Sequence, residues 1–402
     1  MHSSILIIGA GFGGLWSALS AVRLLDQHQR LDITVTVLAP QAELHVRPRF
    51  YEHDIAPTVA PLAELFEIVG INFVQGCATA IDADARRVSY LDAGGREQHL
   101  GYDRLILASG SQVARPAVVA GINQHTFDVD SYASARRLGA HLQALREQPD
   151  TPQRNTVVVV GGGFTGIETA TEMPGRLRAV LGEDADVRVV IIDRGQTIGG
   201  AMGQAIGEIV AQASDEVGLT WRLGASVQAV DAQGVTLAGG ERIEAGTVIW
   251  AVGVKASPLT EHVQGERDPS GRLHVDNTLK VQGQAAIFAT GDTAFAASDE
   301  LGNHALMTCQ HAIALGRSAG NNAAADLLGV AATPYRQVKY VTCLDLGAWG
   351  AVYTEGWDRQ VLLTGQEGKA LKTQINTQWI YPPAAHRANA LAAADPLIPV
   401  VA

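Results

Sequence analysis

Two short glycine-rich loops carry the chemistry most legible in this chain. Gly9-Ala10-Gly11-Phe12-Gly13-Gly14 follows directly on the apolar run Ser4 to Ile8, and Gly161-Gly162-Gly163-Phe164-Thr165-Gly166 follows on Thr156 to Val160. In such a loop the first glycine permits a tight turn, the second lets a pyrophosphate approach the backbone, and the third lets the next helix lie against the strand. The phosphates then meet unpaired N–H groups and the positive end of that helix. Two copies predict two bound dinucleotides, with Gly9, Gly11, Phe12, Gly13 and Gly14 at one and Gly161, Gly163 and Gly166 at the other.

The residue closing the strand after each loop separates the two sites. Val187 to Ile192 leads into Asp193, a carboxylate placed to accept hydrogen bonds from the 2′- and 3′-hydroxyls of an adenosine ribose. It would repel a 2′-phosphate, which favours NADH over NADPH. Arg194 beside it is either a partner for such a phosphate or a solvated side chain. After the first loop, Ile33 to Leu38 ends instead in Ala39-Pro40. The missing charge-assisted hydrogen bond is worth roughly 1.5–3 kcal/mol, or about ten- to hundredfold in affinity. Glu43 or backbone groups are candidate substitutes, so binding there is weakened and not abolished.

Strands and helices must hold these loops. The apolar runs before them read as strands buried on both faces. Leu15, Ala18, Leu19, Val22 and Leu25 mark a helix after the first loop, and a helix begins at Ile167-Glu168-Thr169-Ala170 after the second. The fold class is therefore α/β, with two Rossmann-like doubly wound dinucleotide-binding domains. At 402 residues the chain exceeds the size at which one core keeps growing. A glycine count of 43 against 15 prolines suits many tight βα turns.

The net charge of −11 argues against nucleic acid as a partner, because a field of that sign repels polyanions. Cys77, Cys309 and Cys343 are too few and too far apart for a disulfide framework or a metal site, and a reducing cytoplasm suits them. The opening Met-His-Ser-Ser enters a strand with no basic leader, unlike a signal peptide. No stretch approaches the roughly 18 apolar residues of a membrane-spanning helix.

Further segments sharpen the picture. "GGGFTGIETATE" at 161–172, "TVIWAVGVKASPL" at 247–259, "IFATGDTA" at 287–294 and "CQHAIALG" at 309–316 make the chain, over about residues 4 to 350, resemble the type II NADH:quinone oxidoreductases. The wider group also holds the apoptosis-inducing factors and ferredoxin reductases. The resemblance implies FAD at the first loop and NADH at the second. It places Ser109, Gly110 and Gly253 at small-residue turns where the chain crosses close to a dinucleotide, and Gly291-Asp292 at the FAD ribityl chain, although an Asp there also serves as a helix N-cap. Gln310 and His311 open a helix whose positive end would face the flavin's pyrimidine edge, with Gln310 lining the acceptor pocket. Glu168 is brought near nicotinamide and flavin to order the one or relay protons. As a residue at a helix start it is equally explained by the dipole.

The cysteines separate this chain from some relatives. Disulfide reductases need a close redox pair near the first domain, and sulfide:quinone oxidoreductases need cysteines flanking the flavin; neither pattern is present. Electrons would leave the flavin directly. Two segments depart from the family. The C-terminal stretch lacks the cationic amphipathic helices that dock family members on membranes, and offers Trp379 and Tyr381, before Pro382-Pro383, as either aromatic walls of the acceptor site or surface packing. In "RPRFYE" at 47–52, Arg47 and Arg49 alternate on an expected extended segment. They would hold the FAD pyrophosphate or an anionic acceptor, or else pair with Glu52 or Asp54.

These readings divide the chain into an FAD domain over 1–118, an NADH domain over 119–282, a return of the FAD domain over 283–335 and a C-terminal interface segment over 336–402. Gln148 to Arg154 is a loop within the second domain. The expected function is hydride transfer from NADH to flavin, with two electrons then passed to a quinone-like aromatic small molecule. The alternatives are a tailoring oxidoreductase or reductase of a soluble metabolite or small electron-transfer protein, and an FAD/NADH redox sensor like the apoptosis-inducing factors. The expected location is the cytoplasm, at most peripheral at the inner face of the membrane, and a homodimer is the other partnership to consider.

Overall fold

The strand Ser4–Ile8 sits at the centre of the first sheet, as its unbroken apolar run requires, with Ile5 to Ile8 all buried. It pairs in parallel with Thr34–Ala39 on one side and Arg104–Leu107 on the other. Ile287–Ala289 extends the sheet beyond Arg104–Leu107, and Asn72–Asp82, Arg87–Asp92 and Glu97–Gly101 extend it beyond Thr34–Ala39, the last two by antiparallel pairing. This computed structural model describes residues 3–400.

The second sheet is fully parallel, in the order Leu219–Arg222, Arg188–Ile192, Thr156–Val160, Thr247–Trp250. Every residue of Thr156–Val160 is buried. The helix Phe164–Leu181 covers it, starting three residues earlier than the pattern at Ile167 suggested. Gly166 therefore lies in the first helical turn and Glu168 in the second. The two dinucleotide-type sheets are joined where Ser111–Val113 pairs antiparallel with Val254–Ala256.

A third, antiparallel sheet of Val341–Asp345, Ala351–Glu355 and Gln360–Leu363 precedes the helix Gly365–Gln374, a π-turn Ile375–Trp379 and the helix Arg387–Ala393. The chain end returns to the first-loop helix Phe12–Gln27, to which it is tied by the ion pairs Arg23–Asp395 and Arg387–Asp26. On another face that helix meets Cys309–Leu328 at very short range. A Cβ at Gly316 would stand 2.6 Å from the Gly13 carbonyl, and Ser17 Oγ donates to the Gly316 carbonyl at 3.1 Å. Among the described residues no helix is long and apolar enough to cross a membrane.

Candidate functional site

Both loops have the shape their glycines suggested. Gly9 and Gly161 each have φ of +110°, a backbone that other residues rarely adopt, and a Cβ at Gly161 would stand 2.7 Å from the Ala251 carbonyl. A Cβ at Gly14 would run into the Gly9 carbonyl, and one at Gly166 into the Gly161 carbonyl. At Gly11 and Gly163, by contrast, a Cβ would meet nothing within 4 Å. Each loop is thus closed toward its own strand and open at its middle glycine, where a pyrophosphate can reach the N–H groups at the helix start.

The ribose ends differ. Asp193 accepts from the Gly162 N–H at 2.7 Å and from the Gly195 N–H at 2.6 Å, so its carboxylate is fixed beside the loop it serves. Register puts Ala39 at the matching point, since Leu38 and Ile192 provide the carbonyls that accept from Gly9 and Gly161. Ala39 is buried and offers no acceptor. Glu43 is paired with His45 at 3.0 Å on a separate strand, and the Pro40 carbonyl accepts from Gln75 at 3.0 Å.

At the mouth of the first loop, the hydroxyls of Ser109 and Thr290 are buried with no protein partner, and Thr290 reaches the space beside Gly13. Gly110, Gly253 and Gly291 have φ of +69°, +60° and +59°. Asp292 accepts from Ser111 Oγ at 2.6 Å and faces Arg47 at 3.5 Å. It lies within the 3₁₀ turn Gly291–Thr293, behind Thr290 at the N-cap position. Arg47 also donates to Ser111 at 2.8 Å and pairs with Asp130.

The expected extended course of Arg47 and Arg49 is corrected by a 3₁₀ turn over Arg47–Arg49, to which Pro48 brings its fixed φ. Arg49 turns inward, pairs with Glu52 at 2.6 Å and donates to the Tyr381 hydroxyl at 2.7 Å. Tyr381 in turn donates to the Pro57 carbonyl at 2.6 Å, whereas Trp379 is exposed.

The helix Cys309–Leu328 begins beside the first loop, capped by Thr308. The Gln310 amide donates to the Val341 carbonyl at 2.6 Å and accepts from the Val341 N–H at 3.4 Å, so it is fastened to the third sheet. His311 is fully buried, with Thr308 Oγ1 2.8 Å from Nδ1, and burial drives its imidazole down to about 4. It is neutral near pH 7.

Glu168 is the centre of a network that connects the second loop to the C-terminal region. It is 7% exposed and accepts at Oε1 from Lys372 Nζ at 2.7 Å and the Asp345 N–H at 3.1 Å. Lys372 also donates to the Cys343 carbonyl at 2.8 Å. Asp345 accepts from the Tyr51 hydroxyl at 3.0 Å and pairs with Lys369 at 2.6 Å, which also faces Glu172 at 3.4 Å. Burial pushes the Glu168 carboxyl above its ordinary range while the Lys372 ammonium opposes it. The Glu168 carboxylate in return overcomes burial at Lys372 and holds that ammonium above its own range. The pair can therefore hold a proton away from water, next to the second loop.

Lys372, Lys369, Asp345 and Tyr51 carry no sequence signal of this role beyond two lysines one turn apart on a helix. All three cysteines are free thiols: Cys77 is exposed, and burial pushes the Cys309 and Cys343 thiols up to about 11. Among the described residues no cluster of metal-ligating side chains is present.

Comparison with known proteins places this geometry. Residues 3–316 match the family model described as pyridine nucleotide-disulphide oxidoreductase. An NADH dehydrogenase-like protein of Mycobacterium tuberculosis is 46% identical over 400 residues, covering 98% of each chain. The demethylphylloquinone reductase of Synechocystis is 32% identical, over 87% of this chain and 85% of that one. Among solved structures, NDH2 from Plasmodium falciparum in complex with NADH superposes with a TM-score of 0.77 over 98% of each chain at 14% identity, a likeness of fold.

Proposed function

The chain belongs to the pyridine nucleotide-disulphide oxidoreductase family, and within it we propose an FAD-dependent NADH:quinone oxidoreductase of the type II kind. The observation that carries this reading is the pairing of two loops of one shape, of which only the second ends in a ribose carboxylate and leads into a buried, proton-holding Glu168–Lys372 pair. The relatives named for NADH and quinone chemistry support the same donor and acceptor.

The first loop suits FAD. Its open middle glycine admits a pyrophosphate, and the orphaned hydroxyls of Ser109 and Thr290 are donors awaiting a polar ligand. Gly9, Gly11, Phe12, Gly13 and Gly14 would line the pyrophosphate, Asp292 and Arg47 the adjoining chain. Gly161, Gly163, Gly166 and Asp193 would hold NADH. When bound, the flavin supplies the hydride acceptor and the two-electron donor of the reaction.

The chain's own residues do the rest. Asp193 fixes the ribose of NADH and disfavours a 2′-phosphate. The N-terminus of Cys309–Leu328 presents its positive end, with His311 kept neutral beside it, so that negative charge nearby is stabilised by N–H dipoles and not by a mobile proton. Glu168 and Lys372 keep a proton within the site for an acceptor whose reduction to a quinol consumes two protons with the two electrons. The half-buried, weakly acidic thiols of Cys309 and Cys343 suit direct electron transfer better than a disulfide relay. The free thiols also suit a cytoplasmic location, with any membrane contact peripheral.

The test is anaerobic mixing of the FAD-loaded protein with NADH, followed by a water-soluble ubiquinone or menaquinone analogue or by ferredoxin. NADH should bleach the flavin and the quinone restore it within a single turnover. Flavin that stays oxidised with NADH, or that is reoxidised by ferredoxin alone, overturns the reading.

A further inference from the structure

A shallow cavity of about 260 Å³, open to solvent, lies beyond the Glu168 network, where the loop from His53 to Ala56 meets the helices Tyr132–Ala144 and Phe164–Leu181. Ile55, Tyr132 and Ala135 form its apolar wall, and Arg176 its charged one. Arg176 is 6% exposed. Its Nη1 donates to the Tyr51 carbonyl at 3.0 Å, while its Nε is buried with no partner. Its Nη2 approaches Gly139, ending 4.0 Å from where a Cβ would sit, so a long side chain at that position would lie against this end of the guanidinium.

A buried guanidinium whose partner is a neutral carbonyl is costly, and burial draws Arg176 down to about 10 with only Glu172 opposing. The neighbouring acids are engaged elsewhere: Glu172 faces Lys369, Glu52 holds Arg49 in a forked pair, and Asp54 accepts from the Ala56 N–H. Arg136 and His53 add positive or neutral donors at the cavity's rim, with Asp54 the one acid in its lining.

We propose that this cavity is a binding site for a small organic anion, a carboxylate or phosphate ester whose oxyanion is held by Arg176 and Arg136 and whose body rests on Ile55, Ala135 and the Tyr132 ring. A guanidinium edge is built for such oxyanions. The site is separate from both glycine loops and does not depend on which acceptor the flavin serves. It is nonetheless connected to the reaction centre, because Arg176 holds the Tyr51 carbonyl, the Tyr51 hydroxyl holds Asp345, and the Asp345 N–H holds Glu168.

The experiment titrates the FAD-loaded protein, with NAD⁺ present to fill the second loop, with benzoate and with inorganic phosphate. Ionic strength is held fixed with chloride, and heat of binding is read by calorimetry. One saturable site is expected for at least one anion, with benzoate the tighter if the natural ligand is a carboxylate and phosphate the tighter if it is a phosphate ester. Arg176→Met should weaken binding at least about tenfold, by the worth of a charge-assisted hydrogen bond. Gly139→Leu keeps the charge, fills the cavity and should abolish binding, so it decides the matter even if Arg176→Met fails to fold. Absence of saturable heat with either anion, or unchanged binding in Gly139→Leu, overturns the proposal. Neither result bears on NADH oxidation, which is read separately.

Discussion

The first and second glycine loops share a backbone and diverge in the side chains around it. Counted from the first glycine of each, Trp16 stands where Glu168 stands, and the strand registers place Ala39 where Asp193 stands. The second loop has a carboxylate at both points. At the first loop the alanine is buried, and the indole of Trp16 lies beneath the Arg317 guanidinium at 4.3 Å, a cation–π contact in which Arg317 also donates to the Ile398 carbonyl. A pyrophosphate cradle thus follows from glycine geometry and a helix start alone, whereas the flanking side chains set the two sites apart.

The sharpest way to break this comparison is to close one loop at a time. Gly166→Ala sets a Cβ against the Gly161 carbonyl and should leave FAD bound while lowering the rate of flavin reduction by NADH at least about a hundredfold, as read by stopped flow. Gly14→Ala should yield protein that purifies without flavin. Exchange of these two outcomes would reverse the assignment of the loops.

Glu168→Gln comes next. It leaves Lys372 buried without its anion and should cost about 3–5 kcal/mol in denaturant unfolding, much of it recovered in Glu168→Gln with Lys372→Met. Its pH dependence has a definite sign. Against burial, the Glu168 carboxylate holds the folded Lys372 ammonium above its unfolded value near 10.4, so the pair's contribution to stability is complete below that value and is lost as pH rises through the raised one. The glutamine variant should show a flatter stability profile over that window.

Asp193→Ala should raise KM for NADH about ten- to hundredfold, the worth of a charge-assisted hydrogen bond, with FAD content unchanged and discrimination against NADPH reduced. The smallest expected effect is in the reciprocal change. Ala39→Asp gives the first loop the carboxylate it lacks and should tighten FAD by less than about tenfold in equilibrium dialysis, because a new buried carboxylate has its own desolvation cost. Weaker FAD binding in this variant would show that Ala39 is shaped for something other than the ribose.

What could be read from sequence was what is local. Ser4–Ile8 and Thr156–Val160 announce themselves by apolar runs ending in glycine, and Asp193 by its place one residue beyond the next strand, because strand, turn and helix start lie within about thirty residues. The centre of the candidate site is not local. Glu168 meets Lys372 across 204 positions, and Arg47 meets Asp130 across 83; side chains so separated leave no periodicity to recognise. The turn at Arg47–Arg49 shows a second limit. Alternating arginines read as an extended segment, but proline between them and the pull of Glu52 and Tyr381 on Arg49 bend the chain. The resemblance to a family pointed to Glu168 and Gln310, while only the folded chain showed that Gln310 is held by Val341 and that Glu168 has a lysine partner.

The closing helix Arg387–Ala393, tied to the opening helix through Asp26 and followed by Asp395 on Arg23, has a consequence for how the protein is made. Strands of the second sheet all lie within 156–250, so they can assemble while synthesis continues. The first sheet waits for Ile287–Ala289, and the helix that follows the first loop waits for Arg387 and Asp395. The seat of the first loop is therefore finished only once the chain through Asp395 has been made, later than that of the second loop.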